Sequence, residues 1–336
     1  MAKQEMYTND QLNNLSSRIQ YIDALKGFAI LLVVMGHVLA NCHMDYNSSL
    51  MGGQSMLLWK VIYSFHMPLF MFCSGLVFKF DSPSLSYFCK VLKKRFVSLM
   101  FPYFCMGTVS FLFRDVFSEY WYLYVLFVFY FVSLVFQCCL SRFKWNNGIV
   151  GSVVLLLFAF AVQMFCIRYK NFAVKPFFDL SHFSLYFWFC LGYVFKKHKM
   201  ARFCHENIFS VFALIFFLFF FLKFHNVSLI HIPGHIYVLS AILFFYSFFV
   251  LLKNNKFLDY LSGIGFYSLE IYLIHFFFLL KLPFMENFLN TFDVNSSVII
   301  QLFISLLFSL LIIACCIFIT KVIPSSPLKQ GFLGRK

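Results

Sequence analysis

Long apolar runs separated by short polar stretches dominate this chain of 336 residues. A helix that crosses a bilayer needs about 20 largely apolar residues, and about ten such runs can be placed along the sequence. The predicted spans are residues 22–41, 57–79, 96–114, 121–140, 148–168, 179–195, 206–224, 235–252, 257–280 and 298–320. The connections between them are short, so the pattern predicts an all-α, polytopic membrane helical bundle without a separate soluble domain.

The distribution of lysine and arginine predicts how this bundle is oriented, because cytoplasmic loops are enriched in both residue types. Of the 27 such residues, Lys26, Lys60 and Lys79 fall inside the predicted spans. Eighteen of the others lie on the side of the amino terminus and six on the opposite side. We therefore expect a protein of the cell membrane with cytoplasmic tails at residues 1–21 and 321–336 and a membrane domain at 22–320.

Composition agrees with this assignment, since 62% hydrophobic and 12% charged residues are far from the balance of a soluble chain. The net charge of +14 reflects the lysines and arginines of loops on one side of the membrane. It indicates attraction to anionic lipid or to an anionic cofactor in preference to binding of nucleic acid. The eleven cysteines form no C-x-x-C pair and lie mostly in apolar segments. We therefore predict neither disulfides nor a metal site.

The first predicted span carries Lys26 and His37, eleven positions apart. At about 100° per residue they share one face of a helix, and about 16 Å along the axis separates them. Asp23 falls on the same side as Lys26, so this helix has a charged end and an imidazole about half a bilayer away. A snorkelling lysine and a histidine bonded to a neighbouring helix are the purely structural alternative.

The second predicted span contains His66 and Pro68. Proline lacks an N–H group, so a kink and a freed carbonyl are expected here. His66 is expected at a depth close to that of His37, and the two imidazoles meet if the helices pack together. Taken alone, this segment is explained by a structural kink with a hydrogen-bonded histidine.

The ninth predicted span contains three further polar residues, and ionisable groups within a bilayer usually face a cavity or a partner. Ser268 and His275 are seven positions apart and share a face of a regular helix. Glu270 points elsewhere and needs its own partner inside the bundle. Helix packing explains the serine, whereas a glutamate and a histidine in one span favour function.

Five stretches of the chain occur in the order "YIDALKGFAILLVVMGH", "SFHMPLFMFCSGLVF", "RFVSLMFPYF", "YWYLYVLF" and "GFYSLEIYLIH". In this order they resemble the acyltransferase-3 family of integral membrane O-acyltransferases, and within it the branch related to fucose 4-O-acetylase. The first two are the most specific. The resemblance covers about residues 18 to 280.

The resemblance implies transfer of an acyl group, commonly acetyl from acetyl-CoA, to a hydroxyl of a surface carbohydrate. His37 corresponds to the essential histidine of the family, and Lys26 to the basic residue of its Arg-x10-His pattern. Lysine in place of arginine removes a bidentate contact. The Trp-Phe-Leu signature of the family is altered here to Trp121, Tyr122 and Leu123, and the two aromatic residues also suit interfacial anchors.

Acyl transfer from a thioester to an alcohol needs a base for the hydroxyl proton or a nucleophile that holds the acyl group. A neutral imidazole can do either. We predict His37 as the catalytic residue, assisted by His66. The residues predicted to hold the donor's phosphates at the cytoplasmic face are Arg18, Lys26 and Arg95. Further candidates are Asp23, Ser268, Glu270 and His275.

These residues predict a membrane O-acyltransferase whose partners are acyl-CoA, a carbohydrate or lipid-linked glycan acceptor, and membrane lipid. A transporter of a sugar or an anionic substrate is the alternative, since intramembrane histidines and a span that contains proline suit a carrier. Transporters often contain inverted repeats with paired interrupted helices, and the pattern of residues 57–79 has no evident second copy. Labelled acetyl-CoA distinguishes the two functions.

Overall fold

The computed structural model describes residues 19–41, 57–114, 120–143, 148–174, 178–224, 234–252, 255–279, 298–323 and 333. The α-helices are α1 Gln20–Asn41, α2 Leu57–Leu76, α3 Leu85–Arg95, α4 Phe101–Arg114, α5 Trp121–Arg142, α6 Ile149–Arg168, α7 Tyr186–Lys197, α8 Glu206–Phe224, α9 Gly234–Leu251, α10 Lys256–Phe266, α11 Ser268–Ile274 and α12 Val298–Val322. Short elements complete the fold: a π-helical turn at Phe96–Met100, 3-10 turns at Leu180–Leu185, Met200–Phe203 and His275–Phe278, and an antiparallel pair of strands, β1 Ala173–Val174 and β2 Phe178–Asp179.

The predicted all-α membrane bundle is confirmed. Within the described residues, eight helical stretches are long and apolar enough to cross a membrane, and α10 with α11 adds a ninth if the bent pair is one span. The predicted span at 179–195 forms a 3-10 turn followed by α7, which has only 12 residues. Because this segment is not one continuous α-helix, it is not among these eight or nine stretches, which accounts for the difference from about ten predicted spans.

The third span begins earlier than predicted. Ser84 caps α3, and its hydroxyl accepts a bond from the Tyr87 N–H at 3.2 Å. The helical stretch Leu85–Leu112 therefore includes the basic residues that we expected in a loop before residue 96. A π-helical turn interrupts it just before Pro102, which has no N–H to offer the preceding turn.

The ninth predicted span is bent by 57° between α10 and α11, so it is not one straight helix. Tyr267 closes α10, and its N–H bonds to the carbonyls of Ile264 and Gly265. The chain then resumes as α11 and passes into the 3-10 turn at His275–Phe278. The bend redirects the segment that carries Glu270 and His275.

Glycine allows α1 and α10 to approach each other closely. A Cβ atom on Gly27 would lie only 2.0 Å from the Leu261 carbonyl oxygen, and one on Gly265 only 1.8 Å from that of Asp23. Both obstacles are backbone atoms, which cannot move aside like a flexible side chain. Small residues at such contacts are typical of membrane helix packing. This contact fixes α10, and therefore the start of α11, against α1.

A second close approach joins α2 to α7. A Cβ atom on Gly75 would lie 1.9 Å from the Phe189 carbonyl oxygen, and one on Gly192 would lie 2.1 Å from that of Phe72. The buried α1 packs on α2 as well as on α10 and α12. The two glycine contacts thus fix the two helices that carry the predicted catalytic histidines.

Candidate active site

His37 lies in the last turns of α1 and is partly exposed, although most of this helix is buried. Three rings surround its imidazole, with centroid distances of 4.8 Å to Phe276, 5.4 Å to His275 and 6.4 Å to Tyr63. These rings come from α2 and from the 3-10 turn after α11. The end of α1 is therefore the meeting point of the three predicted polar spans.

His275 is completely buried, and its backbone surroundings fix its ring. Nδ1 donates to the carbonyl oxygens of Ile271 and Tyr272, each at 2.9 Å. A carbonyl oxygen can only accept, so Nδ1 carries the hydrogen. In the neutral ring the lone pair is therefore on Nε2. The structure thus gives His37 a neighbouring imidazole with a defined tautomer.

His66 is also buried, and the ring beside it that also lies near His37 is that of Tyr63. Its Nδ1 donates to the Ile62 carbonyl oxygen at 2.9 Å, and its ring centroid is 4.7 Å from that of Tyr63. The predicted meeting of His37 and His66 is thus through Tyr63, which contacts both rings. The reason is local, because α2 runs through Pro68 as one helix and presents Tyr63 and His66 one turn apart.

The sequence analysis did not identify the tyrosines that pack around this turn. The Tyr120 hydroxyl donates to the Leu273 carbonyl oxygen at 3.1 Å, and its ring lies 5.9 Å from that of Phe276. The Tyr122 hydroxyl bonds to that of Ser74 at 2.6 Å. Tyr122 is buried, so it is not an interfacial anchor. The available signal was the run of aromatic residues at the start of the fourth predicted span.

Trp121, between these tyrosines, has a different neighbour. Its ring stacks on that of His182 with a centroid distance of 3.9 Å and an interplanar angle of 10°. His182 lies in the 3-10 turn that precedes α7. The altered Trp-Tyr-Leu segment therefore joins α5 to α2 through Tyr122 and to the 3-10 turn before α7 through Trp121.

The other end of α1 carries the predicted pair of charges. Lys26 Nζ lies 3.4 Å from Asp23 Oδ1, and both side chains are largely buried. Gln20 also bonds to Asp259, which joins the first turns of α1 and α10. The expected charged end of the helix is confirmed as an ion pair, whereas its role in donor binding stays a prediction.

Arg95 lies at the end of α3, where its guanidinium covers the Tyr130 ring of α5 at 4.2 Å. Tyr130 in turn contacts Phe78, and Phe78 contacts Tyr193, over which Lys197 lies at 5.8 Å. These aromatic rings are thus flanked by two cations. Arg18, the third predicted donor-binding residue, is outside the described residues.

The remaining candidates lie after the bend. Ser268 is the first residue of α11 and is partly buried, whereas Glu270 is buried with 1% of its surface exposed. His275 follows the end of α11, so the regular helix assumed for the shared face of Ser268 and His275 ends just before His275. Among the described residues, no group of three or more histidine, cysteine, aspartate or glutamate side chains is arranged to hold a metal ion.

Comparison with known proteins gives one match. The family model of the acyltransferase domain, acyltransferase-3, matches residues 19–320, which include α1 to α11 and nearly all of α12. No curated protein and no solved structure matches the chain. The match supports acyl transfer over transport as the function of the protein. The chain belongs to the acyltransferase-3 family and is a multi-pass membrane acyltransferase.

Proposed function

We propose that this acyltransferase moves an acetyl group from acetyl-CoA to a hydroxyl of a surface carbohydrate, as a member of the branch related to fucose 4-O-acetylase. His37 is the residue at which transfer takes place. The observation that carries the proposal is the pairing of His37 with His275 inside a bundle of apolar helices, at a ring distance of 5.4 Å. Ionisable groups in such a position usually serve a function.

The donor enters from the Lys26 end of α1. The excess of lysine and arginine on that side supports its assignment to the cytoplasm, where acetyl-CoA is made. Lys26, and Arg95 on the same side, supply positive charge for the phosphates of the donor. In this orientation both termini are cytoplasmic, and the thioester reaches inward to His37, about 16 Å along the axis of α1.

The acceptor, free or lipid-linked, approaches from the opposite end, where His37 is partly exposed. In direct transfer, the imidazole takes the proton of the acceptor hydroxyl as its oxygen attacks the thioester carbon. The C–S bond then breaks, and the thiolate of CoA receives the proton. In the two-step alternative, the imidazole nitrogen attacks the thioester carbon, the C–S bond breaks and CoA leaves as its thiolate. The acceptor hydroxyl then displaces the acyl group from the nitrogen, and its proton passes to the thiolate of CoA.

His275 supports either route as a positioning residue. Its Nδ1–H is bonded to backbone carbonyls, so the Nε2 lone pair is the part of the ring available to a neighbour. An adjacent lone pair stabilises the imidazolium that forms when His37 takes a proton, as the third member of a catalytic triad does for its histidine. His66 acts less directly, since its ring contacts that of Tyr63, which in turn lies near His37.

The test uses the purified full-length protein with labelled acetyl-CoA and the surface glycan of the source cell. Wild type is expected to transfer label to glycan, and His37→Ala to lose at least about a hundredfold in rate, since acid–base groups contribute about 10²–10⁴. His198→Ala is the matched control, because His198 bonds to Ser152 at 2.8 Å, away from His37. A correctly inserted His37→Ala protein with the wild-type rate would refute the assignment.

A further inference from the structure

The last helix, α12, presents polar side chains to the bundle and apolar side chains to the outside. Its buried face includes Gln301, Ser305, Ser309 and Thr320, each with 2% or less of its surface exposed. Leucines and phenylalanines occupy its exposed face. The first three polar residues are spaced four apart, so they lie along one stripe of the helix. Polar groups in a membrane helix are expensive unless they meet a partner or a cavity.

This stripe faces the elements that carry the proposed reaction. Helix α12 packs on α1, α2, α11 and the 3-10 turn at His275–Phe278. In the ten-span topology predicted from the sequence, α12 starts at the His37 end and runs toward the Lys26 end. Gln301 to Ser309 cover about 12 Å of this direction, compared with about 16 Å from Lys26 to His37. The stripe therefore runs beside most of the distance that the donor must cover.

Ser309 differs from the other hydroxyl residues of the buried face. The hydroxyl groups of Ser305 and Thr320 donate to carbonyls of their own helix, those of Leu302 and Cys316, which is the usual arrangement for such residues in membrane helices. Ser309 Oγ is buried and has no hydrogen-bond partner among the residues that the structure describes. A buried hydroxyl without a partner is unfavourable, which points to a ligand.

We propose that Ser305 and Ser309 line the path of the donor's pantetheine arm between Lys26 and His37. The inference rests on the proposed function, because it assumes an acyl-CoA donor. The arm contains amide groups, which lose their water inside the membrane and need new hydrogen-bond partners. A serine hydroxyl both donates and accepts, so a stripe of such groups suits an amide-bearing chain that slides along it.

Helix packing is the competing explanation, since small polar residues are common where membrane helices meet. The two explanations differ in what they predict for binding. If the serines only pack, substitution changes the stability of the protein and leaves the contribution of the arm to binding unchanged. If they line the path, substitution weakens binding of the arm and spares the nucleotide.

The experiment compares CoA with phosphoadenosine diphosphate, the nucleotide that remains without the arm, in calorimetric titrations of the full-length protein in lipid nanodiscs. For wild type we expect CoA to bind more tightly than the nucleotide. Ser309→Leu is expected to weaken CoA about tenfold and Ser309→Ala about fivefold, as for one lost hydrogen bond. Nucleotide affinity is expected to stay at the wild-type value. The Ala variant retains the test if the Leu variant does not fold.

Ser247→Ala is the matched control, because Ser247 is equally buried but its hydroxyl bonds to carbonyls within α9. Its affinities for both probes should equal those of wild type. If Ser309→Ala weakened the binding of both probes equally, or of neither, the proposed path along Ser305 and Ser309 would be wrong. Acetyl transfer by wild type would in that case still support the proposed function. If wild type bound neither probe and transferred no acetyl group, the acyl-CoA donor itself would be wrong.

Discussion

His66 and His275 occupy two turns of the bundle that are locally almost the same. Each is buried, and each uses Nδ1 to donate to the carbonyl of the residue four positions earlier. They differ in their neighbours: the ring centroid of His275 lies 5.4 Å from that of His37, whereas the ring beside His66 is that of Tyr63. Burial and hydrogen bonding therefore do not distinguish these two histidines from each other. The neighbouring side chain distinguishes them, which is His37 for His275 and Tyr63 for His66.

The largest effect is expected from breaking the contact that holds the His275 turn in place. Gly265→Ala would put a Cβ atom 1.8 Å from the Asp23 carbonyl oxygen, so α10 must move away from α1. We expect destabilisation by about 3 kcal/mol, as for overpacking in a core, together with loss of acetyl transfer. The thermal unfolding of detergent-solubilised protein measures the first effect, and labelled acetyl-CoA the second.

Gly263→Ala is the control for this prediction. Gly263 lies two residues away on the same helix, and an added Cβ atom would meet no other atom within 4 Å. Its stability and activity should stay close to those of wild type. If Gly265→Ala behaved like Gly263→Ala, the close approach of α1 and α10 would not be what positions His275.

The second largest effect is expected when His275 and His66 are each replaced and their rates of acetyl transfer are compared. His275→Ala is expected to reduce the rate of acetyl transfer about a hundredfold at saturating acetyl-CoA, because the partner of His37 is lost. His66→Ala is expected to reduce it by less than about tenfold, since this ring acts through Tyr63. Both variants lose a buried imidazole bonded to its own helix, so each controls for the structural effect of the other. A larger loss for His66→Ala would reverse the assignment.

The smallest effect on the rate of acetyl transfer is expected from Tyr63, whose ring lies near those of His37 and His66. Tyr63→Leu is expected to lower the rate about fivefold, and adding His66→Ala should then have little further effect, because contacting residues are coupled in double-mutant cycles. Steady-state rates of the two single variants and the double variant measure this coupling. Fully additive losses would mean that His66 acts independently of Tyr63.

The sequence was sufficient to predict the bundle, the Lys26–Asp23 pair and the position of His37, because each depends on one helix and its periodicity. It was not sufficient to predict that His275 lies beside His37. That neighbour depends on the contact of Gly27 with Gly265 and on the bend after α10, which are properties of helix pairs. The roles of Tyr120 and Tyr122 were missed for the same reason, since aromatic residues in a membrane segment have many structural uses.

The hydrogen bonds that fix His275 also bear on the movement of protons through the bundle. A proton passes along a histidine wire by entering at one ring nitrogen and leaving from the other. In His275 the Nδ1 hydrogen is held by the carbonyls of Ile271 and Tyr272, which only accept and cannot relay it. The ring can therefore exchange a proton only on its Nε2 side. His275 therefore offers no route by which a proton could pass through its ring from one side to the other.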